Sequence, residues 1–425
     1  MNAPRALDDL RVLDLTEAGG QYAAKLLADL GADVVRVEPP GGVTARTAPP
    51  FAGDLPDADR SVPFWYWNTG KRSLTLDLTT EDGRALLQAL VPRFDALIHT
   101  QPPPGAAAHG LDGETLRALH PGLITCSITP FGETGPHTAY EGGELVVTAM
   151  SGLTWLAGYP DRPPTTPPGE QAAVCGGLQA AQGILLALAA RDLTGRGQHV
   201  EVSQQEALLI AQETAMQTWD MRRELRTRTG AAHTLPAIGV YACADGYIQC
   251  MVGAAGFGAP LSTLVEWMAE EGQAGGLDGA EWDAWLPRLT ARELTVLAGR
   301  PEELRALQAR IVAADGVVAA FFAGRSKHEL YLGGQRRRLM IGPVSTTADL
   351  TADPQLAARG WWRAVAHPEL DRDMTYPGPP YHLARTPWTI SRRPPLVGEH
   401  TVEILRAELA LAPEQIETLM GAGII

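Results

Sequence analysis

The feature that most constrains this chain is a change of hydrophobic period near its start. Arg11–Leu15 (RVLDL) is a short apolar run with strand character, and after Gly19 and Gly20 the residues from Gln21 to Leu30 repeat at helical spacing. A second strand-like run, Asp33–Val37, ends at Pro39 and Pro40. Strand, helix and strand within about 30 residues make a βαβ unit, and such a unit implies parallel strands with a right-handed crossover. The alternation continues through Ser73–Leu78 (strand), Glu81–Leu90 (helix), Ala96–His99 (strand), Gly113–Leu119 (helix) and Leu123–Ile128 (strand). The expected fold class is therefore α/β, with a doubly wound parallel sheet in the large domain.

Further along, an Ala- and Leu-rich stretch from Gln171 to Arg191 predicts a long buried helix. His199–Ser203 predicts a strand, and a helix is expected near Gln204–Arg222. Residues 227–235 turn polar and loop-like, and Ala-Asp-Gly between two apolar runs in 240–252 predicts a hairpin. The chain from about 259 to 333 is expected to be mostly helical. Pro- and Gly-rich stretches at 373–381 and 393–398 read as irregular connections, with two helices closing the chain. The expected domains are 1–205 (large), 225–340 (small, inserted) and 345–425, a C-terminal segment returning to the large one.

With 49 acidic against 35 basic side chains, the formal net charge is −14. That balance argues against nucleic acid or an anionic membrane as the main partner, though local basic clusters can still hold an anion. The start of the chain lacks the apolar core of a leader peptide, and no apolar run approaches the ~20 residues of a membrane span. Four cysteines without CxxC spacing read as reduced thiols. A soluble, cytoplasmic protein is expected. The ten histidines show no metal-binding spacing, so no metal is expected. The turn after the first strand, Glu17-Ala18-Gly19-Gly20-Gln21, is not a dinucleotide fingerprint, and GxSxG is absent. Lys71 and Arg72, adjacent on a turn before a strand, are suited to gripping a phosphate or to standing solvated at a sheet edge.

Several blocks resemble, in order, the family III (CaiB/BaiF-type) CoA-transferases: LLADLGADVVRVEPPG (26–41), NTGKRSLTLDL (68–78), ITPFGETGP (128–136), RDLTGRGQHVEVS (191–203) and PPLVGEHT (394–401). The resemblance implies transfer of CoA between carboxylic acids. An enzyme carboxylate takes the acyl group as a mixed anhydride and then becomes an enzyme thioester. It further implies an interlocked-ring dimer and CoA or acyl-CoA as substrate, held by Arg46, Lys71 and Arg72. Counting back from Gln198, the family's nucleophilic aspartate falls on Ala173, whose methyl group cannot attack a thioester. The acids left as candidates are Glu170, about one helical turn earlier, and Glu144, which stands eight residues after Pro136 where some members carry an active-site glutamate. Glu144 reads equally as an acid stabilising a helix start. The region 147–158, with its Trp and apolar residues, suits an acyl pocket or plain core.

The functional expectation is an acyl-CoA/carboxylic acid CoA-transferase-family protein, as a homodimer or a heteromer with an aspartate-containing paralogue. A repurposed CoA-thioester isomerase or lyase and a non-catalytic CoA-thioester-binding protein are the alternatives.

Overall fold

The computed structural model describes residues 4–425 except 213, 231, 232, 234 and 254–257. The first residues of the start read as leaderless, one position of the helix expected near 204–222, and part of the polar stretch 227–235 therefore lie outside the described residues.

The strands and helices of the first unit run β1 (Arg11–Leu15), α1 (Gln21–Asp29), β2 (Asp33–Glu38), α2 (Val62–Asn68), β3 (Arg72–Thr75), α3 (Glu81–Leu90), β4 (Ala96–His99), α4 (Pro103–Ala108), α5 (Gly113–Leu119), β5 (Ile124–Thr129), α6 (Glu144–Met150), α7 (Leu153–Leu156), α8 (Gln171–Thr194), β6 (His199–Ser203) and α9 (Gln204–Leu209). The six strands form one sheet in the order β3-β2-β1-β4-β5-β6, with every neighbouring pair parallel. β4 and β5 are buried at every residue, as expected of parallel strands covered on both faces. Alternation sends Val12, Val34, Ile98 and Cys126 into one core with Ala23, Leu27 and Ile184 of α1 and α8. It sends Leu13, Val35, Leu74 and Leu97 into the opposite core with Leu87, Leu116 and Ile404.

Small residues let α8 lie close along α1. A Cβ built on Gly177 would stand 2.9 Å from Cβ of Tyr22 and 3.1 Å from the Ala23 nitrogen, so the two helices meet where one has no side chain. α8 (Gln171–Thr194) and the helix Pro301–Ala323 are long and apolar enough to cross a membrane by length and composition, which corrects the expectation that no such run exists. In the structure each lends apolar residues to a core, Ala180 and Ile184 from the first and Leu307, Val318 and Phe322 from the second.

The chain divides into two compact units, one of residues 1–157, 164–227 and 355–425, the other of 158–163 and 228–354. The second unit contains an antiparallel sheet of β7 (Ile238–Cys243), β8 (Gly246–Met251) and β9 (Ile341–Pro343), packed with helices around Tyr241, Ile248, Leu264, Trp267 and Phe322. The stretch 373–381, expected to be irregular, is in part a strand. β10 (Trp362–His367) pairs antiparallel with β11 (Arg372–Pro377), and Val365 and Tyr376 pack on Phe64 and Trp65. Prolines and glycine bound that strand without interrupting its ladder. The chain end is tied to β3: the Asp77 N–H donates to the Ile424 carbonyl at 2.8 Å and the Thr75 N–H to Thr401 Oγ1 at 3.0 Å.

Gly177→Leu should force α1 and α8 apart and lower stability by about 1–3 kcal/mol or more. Urea denaturation of the two proteins would read the difference.

Candidate active site

Ala173 is the third residue of α8 and is 5% exposed. The first turn of a helix leaves backbone N–H groups without intrahelical partners, and the aligned peptide dipoles favour a negative charge there. α8 supplies no capping side chain of its own, because its N-cap Glu170 makes no side-chain capping bond. A carboxylate from another helix fills the role. Glu144, the first residue of α6, accepts hydrogen bonds from the Ala172 N–H at 2.9 and 3.0 Å and from the Ala173 N–H at 3.2 Å. The Thr148 hydroxyl donates to the same carboxylate at 3.1 Å.

Glu144 thus lies against the backbone of the residue at which the nucleophile was expected. Its oxygens already receive N–H and O–H donors, which lowers their reactivity toward a thioester. Glu170 is half-buried; burial first, then the charge of Glu144, raises its carboxyl above the usual value. That shift works against the ionised form that attack requires.

The three cations expected to grip phosphate are each paired with carboxylates of the protein. Lys71 is wholly buried, with Nζ 2.7 Å from Asp14 Oδ2, 3.0 Å from Asn68 Oδ1 and 3.1 Å from the Gln21 carbonyl. Arg46 forks onto Glu38 with two contacts of 2.8 Å, reaches Asp59 at 2.9 Å, and lies 3.9 Å over the Phe64 ring. Arg72 holds Asp33 at 2.6 and 3.0 Å and Glu403 at 3.1 Å. All three side chains balance internal carboxylates, and none of the three is left unpaired.

Their partners are the residues that sequence reasoning missed. Asp14 and Arg36 are each 0% exposed, and Arg36 reaches Asp14 Oδ2 at 3.1 Å and the Thr16 carbonyl at 2.6 Å. The signal was present: one acid inside RVLDL and one base inside DVVRVE. Charged residues in strands buried on both faces must find partners. Burial opposes ionisation of Asp14, but Lys71 and Arg36 outweigh it and hold the carboxyl below its ordinary value of 3.8. Glu38 is likewise held below 4.5, with the Arg46 guanidinium overcoming its burial.

At the C-terminal edge of the sheet, where doubly wound folds place ligands, a cavity of about 210 Å³ is lined by Leu15, Glu17, Glu38, Asp77, Gln101 and His109, among others. Its acids outnumber its cations, since no lysine or arginine lines it. Burial also raises the Glu17 carboxyl. A CoA diphosphate entering here would meet carboxylates.

The family model for CoA-transferase family III matches residues 7–401. The chain belongs to CoA-transferase family III. It is 36% identical over 418 residues to the succinyl-CoA:(R)-benzylsuccinate CoA-transferase subunit BbsE of Thauera aromatica, covering 98% of this chain and 97% of that protein. It is 31% identical over 453 residues to formyl-CoA:oxalate CoA-transferase of Streptomyces avermitilis, covering 99% and 100%. Among solved structures, a CaiB/BaiF family protein from Brucella suis superposes with a TM-score of 0.81 at 27% identity, over 96% of this chain and all of that one. This family III member is accordingly a CoA-transferase-family protein acting on CoA thioesters.

Three outcomes follow. Glu144→Ala should cost about 1–2 kcal/mol of stability, the range for losing a cap and its dipole interaction. Lys71→Ala should cost about 3–5 kcal/mol, because it strands the Asp14 charge in the interior. Its main effect would then appear in denaturation curves and only secondarily in CoA titrations. Acid should also loosen the sheet. Asp14 and Glu38 have depressed folded values, so the stability they lend is full above the ordinary carboxylate range and is lost as pH falls through the depressed values.

Proposed function

We propose that this chain is the aspartate-less subunit of a heteromeric family III CoA-transferase, paired with a paralogue that carries the nucleophile. The observation that carries this reading is the pairing of Ala173 with Glu144 at the start of α8: the scaffold is kept, the attacking carboxylate is absent, and the helix end is already neutralised. In the paired enzyme the paralogue's aspartate attacks the acyl-CoA carbonyl and expels the CoA thiolate. The thiolate then takes over the mixed anhydride to form the enzyme thioester, releasing the donor acid. The acceptor acid next forms a second anhydride, from which returning thiolate makes the new acyl-CoA.

Further features support a partner chain. α8 is apolar on all sides, and Leu178, Leu186 and Leu193 stand 46%, 66% and 90% exposed on it. A helix of that kind is normally covered. The acidic lining of the cavity at the sheet edge and the internal pairing of Arg46, Lys71 and Arg72 favour CoA binding mainly at the paralogue's site. The relative named as a subunit fits the same assembly, and its named acid, benzylsuccinate, makes an acid with an apolar body our choice of acceptor. Interlocked rings are the arrangement we assign to the pair, and four free cysteines suit a cytoplasmic location.

The test is reconstitution with a paralogue that has aspartate at the position of Ala173. The chain alone should move no CoA from succinyl-CoA to benzylsuccinate above background, while the co-expressed pair should elute as one complex and turn over. Replacing the paralogue's aspartate with asparagine should abolish that activity. Turnover by this chain alone, or a stable monomer that ignores the paralogue, would overturn the reading.

A further inference from the structure

A cavity of about 670 Å³ opens in the second unit, and Trp267, Leu332 and four basic residues, Arg325, His328, Arg336 and Arg337, line it. Helical spacing collects them. The helix Lys327–Arg337 begins at a capping box on Ser326, which fixes its first turn. Leu330, Gly333 and Gly334 turn inward and are buried, while His328, Leu332 and Arg336, four residues apart, are exposed along the other side. A Cβ built on Gly333 would stand 2.3 Å from Cη2 of Trp267, so the helix lies directly on that indole. The basic side chains gather around its edge.

The two acids that also border the cavity are already engaged. Glu271 accepts hydrogen bonds from the Trp267 indole N–H and from Arg325. Glu329 accepts from the Ser326 N–H at 2.8 Å and from the Ser326 hydroxyl at 2.7 Å. Arg337 pairs with Glu270, whose side chain is 61% exposed. An ion pair that open to water contributes little, so an incoming anion can displace it at small cost. Arg336 and His328 form no hydrogen bond or ion pair among the described residues.

Two of the guanidinium groups are also held in place. Arg325 lies 3.6 Å over the Phe321 ring and Arg337 4.7 Å over the Trp267 ring. Stacked in this way, they lose little freedom when a ligand arrives. A single carboxylate matches one guanidinium fork. Several forks and an imidazole around one space match an ion with more charge and more acceptor oxygens, which phosphate groups provide. The volume falls within the roughly 300–1,000 Å³ of small-molecule sites, so it accommodates more than a lone phosphate.

We propose that this cavity binds a small organic diphosphate, with Arg336 and Arg337 gripping its phosphate oxygens and Arg325 bracing the wall behind them. The site needs neither a nucleophile nor a paired chain, since every residue that lines it belongs to the second unit.

Inorganic pyrophosphate is the simplest probe. Calorimetric titration of the full chain should show it binding, with sulfate at matched ionic strength weaker by about tenfold or more. Arg336→Ala, an exposed change away from the core, should weaken pyrophosphate by about tenfold or more, the loss of one charge-assisted hydrogen bond. Arg336→Glu should weaken it further, with the melting curves of both variants unchanged. ADP and CoA distinguish the sources of the diphosphate. ADP weakened by Arg336→Ala while CoA is unaffected makes a free nucleotide the ligand, and CoA weakened in parallel makes it the diphosphate of CoA. Pyrophosphate affinity unchanged in Arg336→Ala would overturn the proposal. So would absence of pyrophosphate binding at millimolar concentration, or sulfate binding as tightly as pyrophosphate.

Discussion

The structure around the start of α8 depends on one carboxylate, that of Glu144 on the amino end of the helix. The helix is 24 residues long and leaves its first N–H groups without partners. Glu144 reaches them from the start of α6, so one contact joins two helices and fills the amino end of α8. Because α8 meets α1 at Gly177 and supports β5 and β6, its amino end cannot drift without disturbing the core beneath.

A second constraint runs through the sheet. Asp14, Arg36 and Lys71 form a wholly buried cluster across β1, β2 and the turn before β3, and Glu38 ties Arg46 to Ser73, whose hydroxyl donates to it at 2.6 Å. Buried pairs of this kind contribute little net stability against an apolar core, but breaking one is costly. They therefore fix which strand edges lie together more than they strengthen the fold. The same pairing engages Arg46 and Lys71, and the cavity at the sheet edge is bordered by Glu17, Glu38 and Asp77.

Much of the framework was legible because it rests on local periodicity. Ala96–His99 is a strand in both readings, and Ser73–Leu78 was displaced by only a few residues from Arg72–Thr75. The run of prolines at 102–104 hid α4, since proline is tolerated in a helix's first turn and only the three alanines that follow signalled it. The chemistry was harder to read for a different reason. Lys71 and Arg46 could be picked out as cations, but Asp14 lies 57 residues from Lys71 in the chain, and only the sheet order brings them together. Ala173 was legible from its register alone, whereas the hydrogen bonds from α8 to Glu144 required the fold.

The central claim is that this chain offers no carboxylate able to capture an acyl group. The most direct measurement is hydroxylamine trapping after incubation of the isolated chain with succinyl-CoA, followed by intact mass and peptide mapping, beside an Ala173→Asp variant. The account predicts no hydroxamate anywhere on the natural chain. A hydroxamate on the natural chain at Glu144 or Glu170 would contradict it and make this protein a transferase with a displaced nucleophile.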